Sequence, residues 1–222
     1  MERTALGVLA LAGTLFVQLA GAGPSTAAER PLIKKAERPV ITKTIVRGEG
    51  VTAEFDHTDG CIQTNVSVFG SVFTVPGSTT PDKLGFVSVT QVNTCTLTTL
   101  INGFGEASTL DLVVPNGLAG GRLRMSLEFT DYADPVNPAV SPMTADVSFR
   151  ATARATTTFA KSVSFSGGIR FVSSEGAKSR ASSATGTVTL GAQKVVSRDT
   201  SSISATIASV VSKEKTVARP VK

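Results

Sequence analysis

Strict alternation of apolar and polar residues is the feature that most narrows what this chain can become. Through Arg122-Leu123-Arg124-Met125-Ser126-Leu127-Glu128-Phe129 every second residue is apolar. Likewise Ala145, Val147, Phe149, Ala151 and Ala153 alternate with Asp146, Ser148, Arg150, Thr152 and Arg154. A period of two over eight or more residues buries one set of side chains and wets the other, as in an antiparallel strand. Shorter runs of the same kind span 62–69, 86–91, 96–104, 185–190 and 203–211. Thr, Val, Ser and Phe fill them, and β-branched side chains suit a pleated surface. Outside the first 28 residues no window has the 3.6-residue period of a helix. The chain is therefore expected to be all-β.

Turn residues punctuate these runs. Asp59-Gly60 and Pro115-Asn116-Gly117 supply side chains that tolerate positive φ where the chain must reverse. Ser166-Gly167-Gly168 marks another reversal. A three-residue loop there, with Gly168 left-handed, sets Phe165 opposite Ile169 and Val163 opposite Phe171, keeping the apolar set on one face. The stretch from Tyr132 to Pro142, with Pro135 and Pro138 inside it, reads as a long polar connection between sheets. About a dozen short strands with such turns predict an antiparallel two-layer sandwich or jelly roll.

The N-terminus reads as an export leader. Arg3 precedes an apolar run from Ala5 to Ala22, and Thr26-Ala27-Ala28 precedes Glu29, so residues 1–28 are expected to be a signal peptide cut after Ala28. About 194 residues then remain, enough for one sizeable domain or two small ones. No later segment approaches the length of a membrane span. Export places the two cysteines, Cys61 and Cys95, in an oxidising compartment. Cys61 opens one strand and Cys95 follows the strand that returns, so a bridge would clamp the base of that hairpin. Without Cys-x-x-Cys spacing, a redox or zinc site is not indicated.

The net charge of +5 is unevenly spread. Residues 29–50 carry six bases against three acids, and 212–222 carry four against one. Residues 51–135 are acidic and 136–211 basic. The expected organisation is a linker or N-terminal arm over 29–49, a β-sandwich domain over 50–211, and a basic disordered tail over 212–222. A first strand at 40–46, and a split into two β units near 131–142, are the alternatives. Dispersed bases with no Trp and one Tyr point away from nucleic acid.

Signals for chemistry are sparse. The single histidine, His57, lies in Asp56-His57-Thr58-Asp59-Gly60, which reads as the polar tip of a hairpin. No Gly-x-Ser-x-Gly elbow nominates a serine partner for it. One His cannot complete an ordinary zinc site. Calcium needs only oxygens, which Asp131, Asp134 and Asn137, or Asp56 and Asp59, offer. Glu106 with Glu128 is a candidate carboxylate pair for glycoside hydrolysis. Asn65-Val66-Ser67 matches a glycosylation acceptor but lies within a strand.

Two blocks carry a likeness to known sequences: Asp59-Gly60-Cys61-Ile62-Gln63-Thr64-Asn65-Val66-Ser67-Val68-Phe69, and Val87-Ser88-Val89 followed by Cys95-Thr96-Leu97. This pattern resembles one found in uncharacterised exported bacterial β-rich proteins. The resemblance covers about a quarter of the chain and implies no activity or site residue. The sequence thus points to a secreted or envelope-located binding protein without a cofactor, its ligand unspecified. An extracellular polymer hydrolase using carboxylates or His57, and a calcium-stabilised adhesion-type module, are the rival readings.

Overall fold

The computed structural model describes residues 40–166 and 169–218. Ten antiparallel strands account for most of them: β1 (Val40–Asp59), β2 (Ile62–Thr74), β3 (Asp82–Asn93), β4 (Thr98–Val113), β5 (Gly120–Asp131), β6 (Ala139–Ala151), β7 (Thr156–Ser166), β8 (Ile169–Leu190), β9 (Gln193–Val196) and β10 (Ser204–Ala218). The expected leader over 1–28 falls outside the described residues.

All ten strands belong to one sheet, ordered β10-β1-β2-β3-β4-β5-β6-β8-β7, with β9 beside β8. Because β10 pairs with both β1 and β8, hydrogen bonding completes a circuit through eight strands. The layer-on-layer packing expected from the sequence comes from opposite walls of this ring. Val51, Ala53 and Phe55 of β1, Val66 and Val68 of β2, and Val87 and Val89 of β3 point inward. They meet Leu123, Met125, Leu127 and Phe129 of β5 and Met143, Ala145, Val147 and Phe149 of β6. The alternating runs therefore line one core from Leu123 to Phe129 and from Ala145 to Phe149, with Phe55, Phe129 and Leu123 fully buried. However, β6 ends at Ala151, and Ala153, expected on the inward face, is exposed beyond it. Outward, β5 and β6 present Arg122, Arg124, Glu128, Asp146 and Arg150. That is the reverse of a lipid-embedded barrel, where charge on the outer face is destabilising.

Each end of the ring is fastened differently. At one, Gly60 takes φ +57° in the β1–β2 turn, and Cys61 and Cys95 form a disulfide across Cα atoms 5.5 Å apart. The backbone N–H of Thr94 donates to the Cys61 carbonyl beside it at 2.7 Å. The bridge closes the base of the β2–β3 hairpin, as the strand pattern predicts. At the other end the β4–β5 loop folds inward, burying Leu118 despite its φ of +57°. Arg180 holds this plug, donating through Nη1 to the Gly117 carbonyl at 3.0 Å and through Nε to that of Ala153 at 3.1 Å.

Three local expectations are corrected. The 132–138 segment joins neighbouring strands instead of crossing between sheets, and Pro142 sits within β6 opposite Glu128. The strands also extend past the expected domain limits: β1 begins at Val40, in line with the alternative of a strand at 40–46, and β10 reaches Ala218, within the expected tail. Charge within both stretches, Lys43 on the same face as Ile41 and Ile45 being the plainest case, breaks the apolar alternation that marks the other strands. Finally, Ser166 pairs with Ile169 and Phe165 with Arg170, so the β7–β8 loop has two residues, not three. The apolar-segregation argument presumed a buried face, whereas every described side chain of β7 is exposed. Gly168 itself falls outside the described residues.

Candidate binding surface

Four strands continue past the plugged end of the ring and form a wing. It consists of β7, the first half of β8, the second half of β10 and the first residues of β1. β1 gains β2 as a neighbour only from Arg47 onward, and β7 pairs with β8 alone. Over 40–46 and 156–166 the wing therefore has two open edges. Directly opposed residues in an antiparallel ladder share a face, so the register maps the surface row by row.

On the face continuous with the ring interior, the outermost row is Phe165, Arg170, Val217 and Ile41. The next holds Val163, Val172, Lys215 and Lys43, and the third Lys161, Ser174, Lys213 and Ile45. The fourth is Phe159, Gly176, Val211 and Arg47. Half of these sixteen residues are apolar, six are cations and none is acidic; the next row toward the ring, Thr157, Lys178, Ser209 and Glu49, brings the first acid on this face. Phe159 and Phe165 are each 71% exposed and Ile41 50%. All six cations are exposed, and among the described residues none has an ion-pair partner. Phe159 stands across from Gly176, which leaves room beneath the ring. The opposite face is more polar and carries the acids: Ser162, Ser164, Ser173 and Thr216 surround Glu175 and Glu214, with Phe171, 39% exposed, between Ser164 and Thr216.

Lys43 lies directly opposite Lys215, with Lys213 on the adjoining row. Like charges facing each other across a ladder are destabilising. No acidic side chain stands on these four rows to offset the cluster.

The ring's outer wall carries an ion pair. Arg122 donates to Asp146 through Nε at 3.0 Å and Nη2 at 2.8 Å, and Arg124 adds a longer contact of 3.4 Å. The Arg122 hydrogen bond holds the Asp146 carboxyl below the usual aspartate range; burial opposes it, and the positive charges of Arg122 and Arg124 add to the lowering. A shallow, open depression of about 500 Å3 lies here, lined by Asp111, Arg124, Asp146, Thr144, Thr187 and Thr189. Its charges are mutually compensated.

The residues singled out in the sequence are scattered. His57 is not at an outward tip: β1 runs on to Asp59, and pairing with Thr64 turns His57 to the inward side. Its Nδ1 is buried without a partner, while Thr64 accepts a 3.0 Å hydrogen bond from Gln91 Nε2. Glu106 and Glu128 fall side by side across β4 and β5, both exposed on the open outer wall, where nothing shields them from water. Asp131 accepts from the backbone N–H groups of Asn102 and Ala133. Asp134 accepts from those of Val136 and Asn137, and these bonds lower its pKa. Both act as turn-forming side chains. Asp56 accepts a long 3.5 Å contact from Gln63. Among the described residues no three His, Cys, Asp or Glu converge as metal ligands, and no helix is long and apolar enough to cross a membrane.

The sequence reading leaves the wing unassembled because it places Lys213 and Lys215 in a disordered tail and Lys43 and Arg47 in a linker or arm, with a strand at 40–46 only as an alternative. The available signal was β-branched content, Val40, Ile41, Thr42, Thr44, Ile45 and Val46. No protein-family model matches the chain, and no curated protein or solved structure is significantly similar to it.

Proposed function

We propose that this protein is an exported binding module, non-enzymatic and extracytoplasmic, that attaches to an acidic partner in the cell envelope through the inward face of its wing. The observation that carries this reading is the four-row surface of unpaired cations and exposed apolar side chains, free of acids. An exposed surface of this composition marks an interaction site. The leader over 1–28 and the Cys61–Cys95 bridge support export.

The test is fractionation of bacteria expressing the full chain. The reading expects a processed, disulfide-bonded protein held in the envelope fraction. Lys43→Glu, Lys213→Glu and Lys215→Glu together should release it, whereas Arg150→Glu on the ring's outer wall should not. Recovery of the intact precursor in the cytosol with both thiols alkylatable would overturn the proposal. So would envelope retention that ignores the three wing substitutions.

A further inference from the structure

Resting on that reading, we infer that the wing docks on a lipid bilayer bearing anionic headgroups, as a peripheral and not a spanning contact. A soluble polyanion is satisfied by cations alone and gives no use to exposed aliphatic side chains. Here Ile41, Ile45 and Val163 are exposed beside Phe159 and Phe165, interleaved with lysines and arginines. That mixture suits the boundary between headgroups and acyl chains: apolar side chains enter, and long cationic stems reach phosphate. The outermost row contributes three of the apolar groups, Phe165, Val217 and Ile41, around the single cation Arg170.

Geometry limits the depth of the contact. The outer edges of β7 and of β1 over 40–46 are unpaired, and unpaired backbone is excluded from the hydrocarbon core. The face measures roughly 14 by 20 Å from strand and row spacings, a footprint of several lipids. The reverse face, with Glu175, Glu214 and its serines, stays in water. A second copy is a poor occupant, because face-to-face packing sets six cations against six. Nucleic acid would use the two phenylalanines by stacking but leaves the aliphatic side chains unexplained.

Co-sedimentation of the disulfide-bonded chain with vesicles tests this. Vesicles of equal phosphatidylglycerol and phosphatidylcholine should bind it, and phosphatidylcholine alone should not. Lys43→Glu, Lys213→Glu and Lys215→Glu together should weaken binding about a hundredfold, roughly fivefold per cation. Phe159→Ser with Phe165→Ser should weaken vesicle binding about tenfold while leaving binding to inorganic polyphosphate unchanged. The chain has no tryptophan, so Phe165→Trp gives a unique probe whose emission should shift to the blue on anionic vesicles. Unaltered melting temperatures confirm that the exposed substitutions leave the fold intact. The lipid assignment is overturned if the phenylalanine pair has no effect on vesicle binding. It is also overturned if that pair abolishes binding to single-stranded DNA while vesicles are ignored, or abolishes a salt-sensitive dimer in sedimentation. If vesicle binding fails but envelope retention still depends on the lysines, the lipid falls and the binding module stands. If both fail, both proposals fall.

Discussion

The two halves of β8 show how one strand serves two purposes. Over 182–190 it closes the ring, with Ala184 and Val188 fully buried against β6. Over 169–178 it carries the wing, where Phe171, Arg170 and Lys178 are exposed. Charge differs in part: the ring's outer wall holds the Arg122–Asp146 pair beside Glu106, Glu128 and Arg150, which form no ion pair among the described residues, whereas none of the wing's six cations is paired among them. A strand held by packing on one side tolerates charge only outward. A strand held by its ladder alone accepts charge on either face, and that freedom lets a binding surface be built there.

The sharpest way to break this comparison is to truncate one phenylalanine in each region. Phe129→Ala, in the fully buried core, should destabilise by about 3–5 kcal/mol in urea unfolding. Phe159→Ala on the wing should change stability by less than about 0.5 kcal/mol. Comparable losses would mean that the wing is packed against something in the folded chain.

Next in size is the disulfide. Replacing Cys61 and Cys95 with serine opens a link across 34 residues and should remove about 3–4 kcal/mol in the chain-entropy model. The bridge lies at the end of the ring remote from the wing. Vesicle binding of whatever variant remains folded should therefore equal that of the parent, and a parallel loss of binding would tie the two regions together.

Glycines within β8 sharpen the contrast further. A Cβ at Gly186 would collide with the Asp146 carbonyl oxygen and lie 2.7 Å from Val147 Cα. Gly186→Ala should therefore destabilise by about 1–3 kcal/mol. At Gly176 the nearest atom is Phe159 Cδ2 at 4.0 Å, so Gly176→Ala should be neutral or slightly stabilising. Thermal melts of the two variants decide it.

The smallest effect concerns pH. The folded pKa of Asp146 is lowered, chiefly by the Arg122 hydrogen bond, so its contribution is present above the ordinary aspartate range. It is lost as pH falls below that range through the folded value. Both side chains are nearly half exposed, so Asp146→Asn should cost less than about 1 kcal/mol at neutral pH. Urea midpoints of parent and variant should converge in acid; a constant gap would mean that Asp146 acts through packing.

How much was legible in the sequence depended on whether a buried face existed to read. Where Leu123 to Phe129 and Ala145 to Phe149 line the core, alternation identified strands, faces and inward residues correctly. The disulfide followed from Cys61 and Cys95 flanking one hairpin. Closure of the sheet was not legible, because the β8–β10 pairing joins residues such as Arg180 and Ile207 that no local pattern connects. The wing was hidden for a further reason. With both faces of β7 solvated, Phe165 opposite Arg170 is as acceptable as any other register, and hydrophobic pattern ceases to specify pairing. His57 was misread through the length of β1, since two more strand residues turned it inward.

Hydrogen exchange of the disulfide-bonded chain, with and without phosphatidylglycerol-containing vesicles, tests the central claim most directly. Added protection should be confined to 40–47, 156–166, 169–178 and 211–218, with the ring unchanged. Protection centred instead on the Arg122–Asp146 wall, or none at all on the wing strands, would contradict the account.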